Sequence, residues 1–407
     1  MRKRFRSTII AALALLFLVP VSAGYATETL MSAAADNSAF AFDIFQILKQ
    51  KGGNLFFSPY SVSSALAMTY GGARGNTALQ MQEAMRFTRG QEGTHKAFAE
   101  LGSLLGNIQS KGAVELAVAN SIWPQTGYGF LPEYTALLKK FYGVEITPVD
   151  YANAPEPSRK RINKWVEVKT REKIKDLIPE GSIDPLTRLV LVNAIYFKGD
   201  WEEQFDPDDT VEAPFFVTPE KSIEASLMTR TGEYGYSDMG DLQILELPYA
   251  GRDLSMVVIL PGPGRSISDL EKKITIENFF LWKQSMSEKE VEVFLPRFRI
   301  TWGSFSLVEA LKSLGMVDAF SDTKADLSGM DGSPDLYITD VLHKAFIDVN
   351  EEGTEAAAAT AVIVGLKSIP APPEVFRADR PFIFIIQENS TGSILFMGRV
   401  SDPSKGE

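Results

Sequence analysis

The 407 residues carry a formal net charge of −11 and 45% hydrophobic residues, with no cysteine and two histidines. The acidity argues against nucleic acid or an anionic polysaccharide as the main partner. The missing thiols exclude disulfides, thiolate metal sites and a cysteine nucleophile. His95 and His343 alone supply imidazole, too little for a metalloenzyme, so neither a metal nor a cofactor is expected. A length prior would divide the chain into two or three domains. No Pro/Gly/Ser linker, charge block or repeat marks a boundary, so one large domain is expected.

Met1 to Ala26 reads as a leader. Arg2, Lys3, Arg4 and Arg6 form a positive start, Ile9 to Val19 an apolar run, and Pro20 breaks it. Val21-Ser22-Ala23 or Gly24-Tyr25-Ala26 offers small residues for cleavage near 23 or 26. The apolar run is too short to span a bilayer comfortably. Export to the extracellular or periplasmic space is expected, with no membrane partner, and residues 27–407 form the domain.

Along that domain, Phe40, Ile44, Ile47 and Leu48 share one helical face, and Gly52-Gly53 stops the helix. Ser58-Pro59 is an N-cap with proline at the first helical position, and Val62, Ala65, Leu66 and Thr69 make the buried stripe. Ser158 caps a predicted helix with Ile162, Trp165 and Val166 turned inward. Leu189 to Phe197 is almost continuously apolar, as in a central strand covered on both faces. Leu254 to Leu260 is a strand closed by Pro261-Gly262-Pro263-Gly264. Ser304 is placed as the cap of a helix bearing Leu307, Ala310, Leu311 and Leu314. Phe382–Ile386 and Ile394–Val400 close the chain as strands around the turn Asn389 to Gly392. Helices and strands mixed without βαβ regularity indicate an α+β fold.

Catalytic motifs are thin. Ser321-Asp322-Thr323-Lys324 fits S-x-x-K, but its companion motifs are absent and it reads as a capped turn. G-x-S-x-G and the Walker A pattern do not occur. Asn389-Ser390-Thr391 fits a glycosylation sequon but sits in a tight turn, where it reads as plain turn chemistry. His343 opens a strand and reads as a hydrogen-bonded core histidine.

The stretch Asp348 to Pro373, DVNEEGTEAAAATAVIVGLKSIPAPP, is unlike an ordinary loop. Before it, His343, Ala345, Ile347 and Val349 can face one way along a strand, and Lys344, Phe346 and Asp348 the other. After Glu355 nothing is bulky or ionised until Leu366-Lys367-Ser368. Alanine favours helix from Thr354 to Ala361, yet Val362, Ile363 and Val364 favour strand. With period 2, one face is Thr354, Ala356, Ala358, Thr360, Val362 and Val364, all small enough to enter a sheet. Such ambiguity suggests a conformational switch.

Glu351-Glu352-Gly353-Thr354-Glu355-Ala356-Ala357-Ala358-Ala359-Thr360 resembles the reactive-loop hinge of inhibitory serpins. Asn54–Thr77, Leu189–Phe205, Phe294–Ile300, Leu342–Ala356 and the C-terminal Pro373–Pro403 are similar to serpin segments in the same order. The resemblance covers nearly the whole mature chain and points to a secreted, prokaryotic-looking inhibitory member. It implies three sheets, about nine helices and a mobile loop at about 353–373. Ser58, Ser61, Asn193 and His343 match the polar "shutter" beneath the central sheet. Trp201 and Arg297 match the "breach" where insertion begins, and Arg297 could pair with Glu351. Counting fourteen residues on from Gly353 reaches Lys367, where the family places its scissile residue, and Ser368 after it is small. Leu366-Lys367 is the alternative bond and would suit a chymotrypsin-like protease.

The expected function is therefore suicide inhibition of trypsin-like serine proteases through a covalent complex, with no catalysis by the protein itself. A monomer with a risk of loop-sheet polymers is implied. Thr88 to Gly93 lacks the basic cluster that some members carry nearby, which argues against heparin. The rivals are a non-inhibitory carrier or chaperone of the same fold, and a secreted hydrolase. The alanines at 356–359 disfavour the carrier, which would put charged or bulky residues there. The absent nucleophile motifs disfavour the hydrolase.

Overall fold

The computed structural model describes residues 21–127, 129–144, 146–354 and 372–406. Among them the chain runs α1 (Val21–Leu48), β1 (Leu55–Phe57), α2 (Pro59–Tyr70), α3 (Gly75–Ala84), α4 (Gly90–Ser110), β2 (Val114–Pro124), α5 (Pro132–Tyr142), α6 (Pro155–Lys169) and β3 (Leu189–Asp200). It continues through β4 (Val211–Thr218), β5 (Lys221–Asp238), β6 (Leu242–Pro248), β7 (Leu254–Pro261), α7 (Ile267–Lys273), α8 (Ile276–Gln284), β8 (Ser287–Pro296) and β9 (Phe298–Ser306). The last elements are α9 (Val308–Ser313), α10 (Ser328–Asp331), β10 (Asp340–Val349), β11 (Gly353–Thr354), β12 (Glu374–Arg377), β13 (Phe382–Glu388) and β14 (Ile394–Val400). This is the α+β fold read from the sequence, with ten α-helices among the described residues.

The three sheets implied by resemblance are joined here into two hydrogen-bonded ladders. The larger runs β1-β14-β13-β7-β6-β5-β8-β12, with β4 also on β5, and the smaller runs β11-β3-β10-β9, with β2 also on β3. The 18-residue β5 is the joint. Its first half pairs with β4 and its last residues with β6, while Leu227 to Tyr236 pair with β8, so one strand joins the two groups of strands.

Strand β3 is the spine of the smaller sheet. Leu189, Leu191, Ile195 and Phe197 belong to the main core, which includes α1, α2 and the larger ladder. Val190, Val192, Ala194 and Tyr196 on the other face pack with Ile162 and Val166 of α6. Helix α2 is buried along its whole length, from Pro59 to Tyr70, and Ser58 caps it as expected by accepting the Ser61 N–H.

Two predicted caps are displaced. Helix α6 begins at Pro155, and Ser158 lies buried inside it. A proline whose fixed φ suits the first helical position outcompetes a serine one turn later. Ser304 is strand, because β9 stays paired with β10 as far as Ser306. It is the Ser306 hydroxyl that accepts the Val308 N–H at 3.1 Å.

Candidate functional site

Strands β3 and β10 run side by side in parallel, Val190 to Tyr196 against Asp340 to Phe346. Beyond Tyr196 that edge of β3 passes to the hinge. Gly353 pairs antiparallel with Asp200, and Thr354 with Gly199. The chain reverses between β10 and the hinge through reciprocal bonds of Asn350 and Gly353, at 2.9 and 3.2 Å. Gly353 has φ +149°, and a Cβ there would lie 2.2 Å from the Gly199 carbonyl oxygen. Only glycine tolerates both the angle and the approach.

The two acids of the turn divide their work. Glu351 is buried, and Arg297 donates to its carboxylate through Nε at 2.5 Å. The Thr210 hydroxyl also donates to it. The Arg297 side chain is 46% exposed, so a half-wet guanidinium lies over a carboxylate sealed from water. The Glu351 and Glu352 carbonyls accept the N–H groups of Phe205 and Trp201, both at 2.9 Å. The Trp201 indole donates to the Asn350 carbonyl at 3.0 Å and stacks on Tyr249, ring centres 4.7 Å apart. Tyr249 and Thr354 share a hydroxyl hydrogen bond of 3.1 Å, with Thr354 fully buried. Trp201, Arg297, Glu351, Gly353 and Thr354 therefore meet at the upper end of the β3–β10 seam.

Lower in the seam, His343 and Asn193 are register partners. His343 Nδ1 bonds the Asn193 side-chain oxygen, and its Nε2 accepts the Ser58 N–H at 3.2 Å. The Asn193 amide donates to Ser61 Oγ and Asn120 Oδ1, each at 2.5 Å. Ser58 Oγ donates to the Leu395 carbonyl at 2.7 Å. A second strand cannot enter between β3 and β10 without parting His343 from Asn193. On β9 the register shifts between Phe305, opposite His343, and Gly303, opposite Lys344. Gly303 has φ +124°, and a Cβ there would lie 2.1 Å from the His343 carbonyl oxygen, so the bulge needs glycine.

Burial lowers the His343 pKa to about 3. Below the unfolded value near 6.5 the unfolded chain binds a proton that the folded chain refuses. This group therefore removes stability as pH falls from about 6.5 toward 3. His95, lowered by burial to about 4, acts in the same direction, so the contribution of His343 must be read by difference. His343→Gln keeps a donor and an acceptor without titrating. Its melting curve should fall less steeply between pH 6.5 and 4 than the wild type's. Parallel pH dependences would mean that His343 is not the proton-linked group.

Asn120, Thr210 and Tyr249 belong to these networks and were missed in the sequence. Asn120 had a usable signal, a polar residue two before the buried Ile122 of β2. Thr210 and Tyr249 had none. Glu355, Ala356, Ala357, Ala358, Ala359, Lys367 and Ser368 lie outside the described residues, as does the leader as far as residue 20. Ser321 sits in a turn with its hydroxyl 3.2 Å from that of Thr323. The turn after β13 is held locally by the Glu388 carboxylate, which accepts the Ser390 and Thr391 N–H groups at 2.8 and 2.9 Å, while the Asn389 amide ties it to the Arg252 carbonyl and Ser255 Oγ, both at 2.8 Å. Among the described residues no group of acids and histidines is arranged to hold a metal, and no helix is long and apolar enough to cross a membrane.

A family model described as Serpin (serine protease inhibitor) matches residues 35–403. Serpin B3 of Homo sapiens is 45% identical over 386 residues, covering 90% of this chain and 98% of its own. Leukocyte elastase inhibitor A of Mus musculus is 43% identical over 378 residues, with the same coverage. These relatives are mammalian and lend no support to a prokaryotic look. Uncleaved ovalbumin superposes with a TM-score of 0.82 at 32% identity, over 91% of this chain and 100% of its own. The thermophilic serpin tengpin in its native state gives 0.83 at 29%, over 91% and 94%. With a hinge seated at the head of its central sheet and a match along the body of its length, the chain belongs to the serpin family.

Proposed function

We propose that the protein is a secreted suicide inhibitor of trypsin-like serine proteases. Serpins are protease inhibitors and not enzymes, and relatives of this chain are named as inhibitors. The observation that carries the reading is the antiparallel seating of Gly353 and Thr354 against the end of β3. Continued in that register, Ala356 would oppose Phe197, Ala358 Ile195, Thr360 Asn193, Val362 Leu191 and Val364 Leu189. Residues 353–364 would then fill the 12 residues of β3 from Asp200 to Leu189. The side chains opposite this set belong to the main core, apart from Asn193 and Gly199. A strand entering there must carry small residues on that face, and this sequence does.

In the mechanism, the protease hydroxyl attacks the Lys367 carbonyl and forms an acyl-enzyme, releasing Ser368 as a new amine terminus. The freed hinge zips down β3 in place of the β3–β10 pairing. Fourteen residues of extended chain span roughly 48 Å, enough to carry the tethered protease toward the far pole. Incubation with trypsin tests the reading. An SDS-stable complex supports it, whereas clean cleavage without complex would replace it with the carrier.

The elastase named for one relative makes target class a separate question, and Lys367 is proposed to decide it. Lys367→Leu should reduce trypsin inhibition by at least about tenfold, because an acidic specificity pocket loses its ammonium partner, and should improve inhibition of chymotrypsin-like enzymes. Equal trypsin inhibition by the variant would move the scissile bond elsewhere. Secretion rests on the leader, which precedes the family match at residue 35. Helix α1 runs through both cleavage positions, and its ion pair from Glu28 to Arg89 survives either cut. N-terminal sequencing of exported protein checks this.

A further inference from the structure

A cleft of about 300 Å³ lies where the end of α2, the first turns of α4 and one face of α5 converge, away from the β3–β10 seam. His95 lies at its base, 1% exposed and stacked on Phe141. Its Nδ1 bonds the Tyr142 hydroxyl at 2.8 Å. Its Nε2 is buried and has no partner among the described residues. A phenol donates well and accepts poorly, while an imidazole nitrogen accepts well. Burial also holds the Tyr142 phenol well above its ordinary pKa. Tyr142 therefore donates to Nδ1, which places the imidazole proton on Nε2.

Two glycines shape the cleft. A Cβ on Gly71 would lie 3.0 Å from His95 Nε2, and one on Gly329 would lie 2.3 Å from Arg74 Cζ. The Arg74 guanidinium thus lies flat on Gly329 at the mouth. Among the described residues it donates only through Nη1, to the Gly71 and Ala73 carbonyls at 3.1 and 2.7 Å. Its remaining N–H groups are available to a ligand. Leu137 and Phe141 supply an apolar wall. Glu92 and Glu133 also line the cleft but are exposed, and Glu92 is held by Lys96 at 2.6 Å.

We propose that this cleft binds a small carboxylate with an apolar body, the carboxylate on Arg74 and reaching His95 Nε2–H by displacing the Gly71 turn that covers it, and the body against Leu137 and Phe141. A buried donor left without an acceptor costs free energy, and a carboxylate oxygen removes that cost. The volume suits a ligand of about ten heavy atoms. The site does not depend on the reactive loop.

The chain contains only two histidines, so imidazole 15N NMR of the full-length protein reads the site directly. Benzoate should shift the His95 resonances saturably, with Kd at or below about 1 mM, and leave His343 unmoved. Benzamide and benzylamine, matched in shape, should not do so at the same concentration. Arg74→Gln should weaken benzoate by about tenfold or more, and His95→Phe should abolish the response to it in the melting temperature. If Arg74→Gln fails to fold, the wild-type titration still decides. Absence of a saturable His95 shift with benzoate, an equal shift with benzamide, or preference for benzylamine would each overturn the proposal.

Discussion

Nicked between Lys367 and Ser368, the protein should melt more than roughly 10 °C above the intact chain. Today β3 and β10 share one short parallel ladder of seven register pairs, Val190–Tyr196 with Asp340–Phe346. Insertion of residues 353–364 would replace it with two antiparallel ladders, each hydrogen-bonded along most of its length, and parallel pairing is the less stable kind. A net gain of about a dozen backbone hydrogen bonds, each worth roughly 0.5–1.5 kcal/mol, comes to on the order of 10 kcal/mol. Domains of this size gain about 2–4 °C or less per kcal/mol. The cost is the parting of His343 from Asn193, and the new strand brings Thr360 opposite Asn193 as a replacement partner. The intact chain is held above its minimum by a barrier, so its stability is kinetic. Intact and trypsin-nicked protein melted side by side supply the test. Coincident curves would mean that the loop does not insert, and the carrier reading would take the place of the inhibitor.

Local chemistry made much of this fold legible. Ser58-Pro59 fixes the start of α2 because cap and proline act within one turn. The alternation from His343 to Val349 gives the two faces of β10, with Ala345, Ile347 and Val349 in the main core and Phe346 in the cluster under α6. The seam was less legible, because its partners are remote in sequence. Lys198, Gly199 and Asp200 are too polar to read as a continuation of Leu189–Phe197. They remain strand because β2 pairs one edge and the hinge residues Gly353 and Thr354 pair the other. The hydroxyl of Tyr249 reaches Thr354 across 105 residues, and no periodicity encodes that. Ser304 was misplaced for the same reason, since pairing of β9 with β10 overrides a local cap.

Thr354→Arg should convert the inhibitor into a substrate. Thr354 is fully buried, its hydroxyl on Tyr249, opposite Gly199. The space opposite is already filled. Even a Cβ on Gly199 would come within 3.0 Å of Phe197, Tyr249 and Val114 side-chain atoms. An arginine can stay only by lifting the hinge away from β3, which also loosens the turn that holds Glu351 beneath Arg297. After cleavage, insertion must start by burying that guanidinium without a counter-ion, at a cost of several kcal/mol. Hydrolysis of the acyl-enzyme competes with insertion, so each kcal/mol added to the insertion barrier slows insertion by about fivefold. Trypsin should therefore still cut at Lys367, because the bait is untouched, while SDS-stable complex falls by at least about tenfold and the stoichiometry of inhibition rises accordingly. Thr354→Val separates size from hydrogen bonding. It matches the threonine's shape, loses only the Tyr249 bond and should keep most of the inhibition. Covalent complex at unchanged stoichiometry with Thr354→Arg would show that entry of residue 354 does not gate insertion, whatever place it holds in the intact sheet.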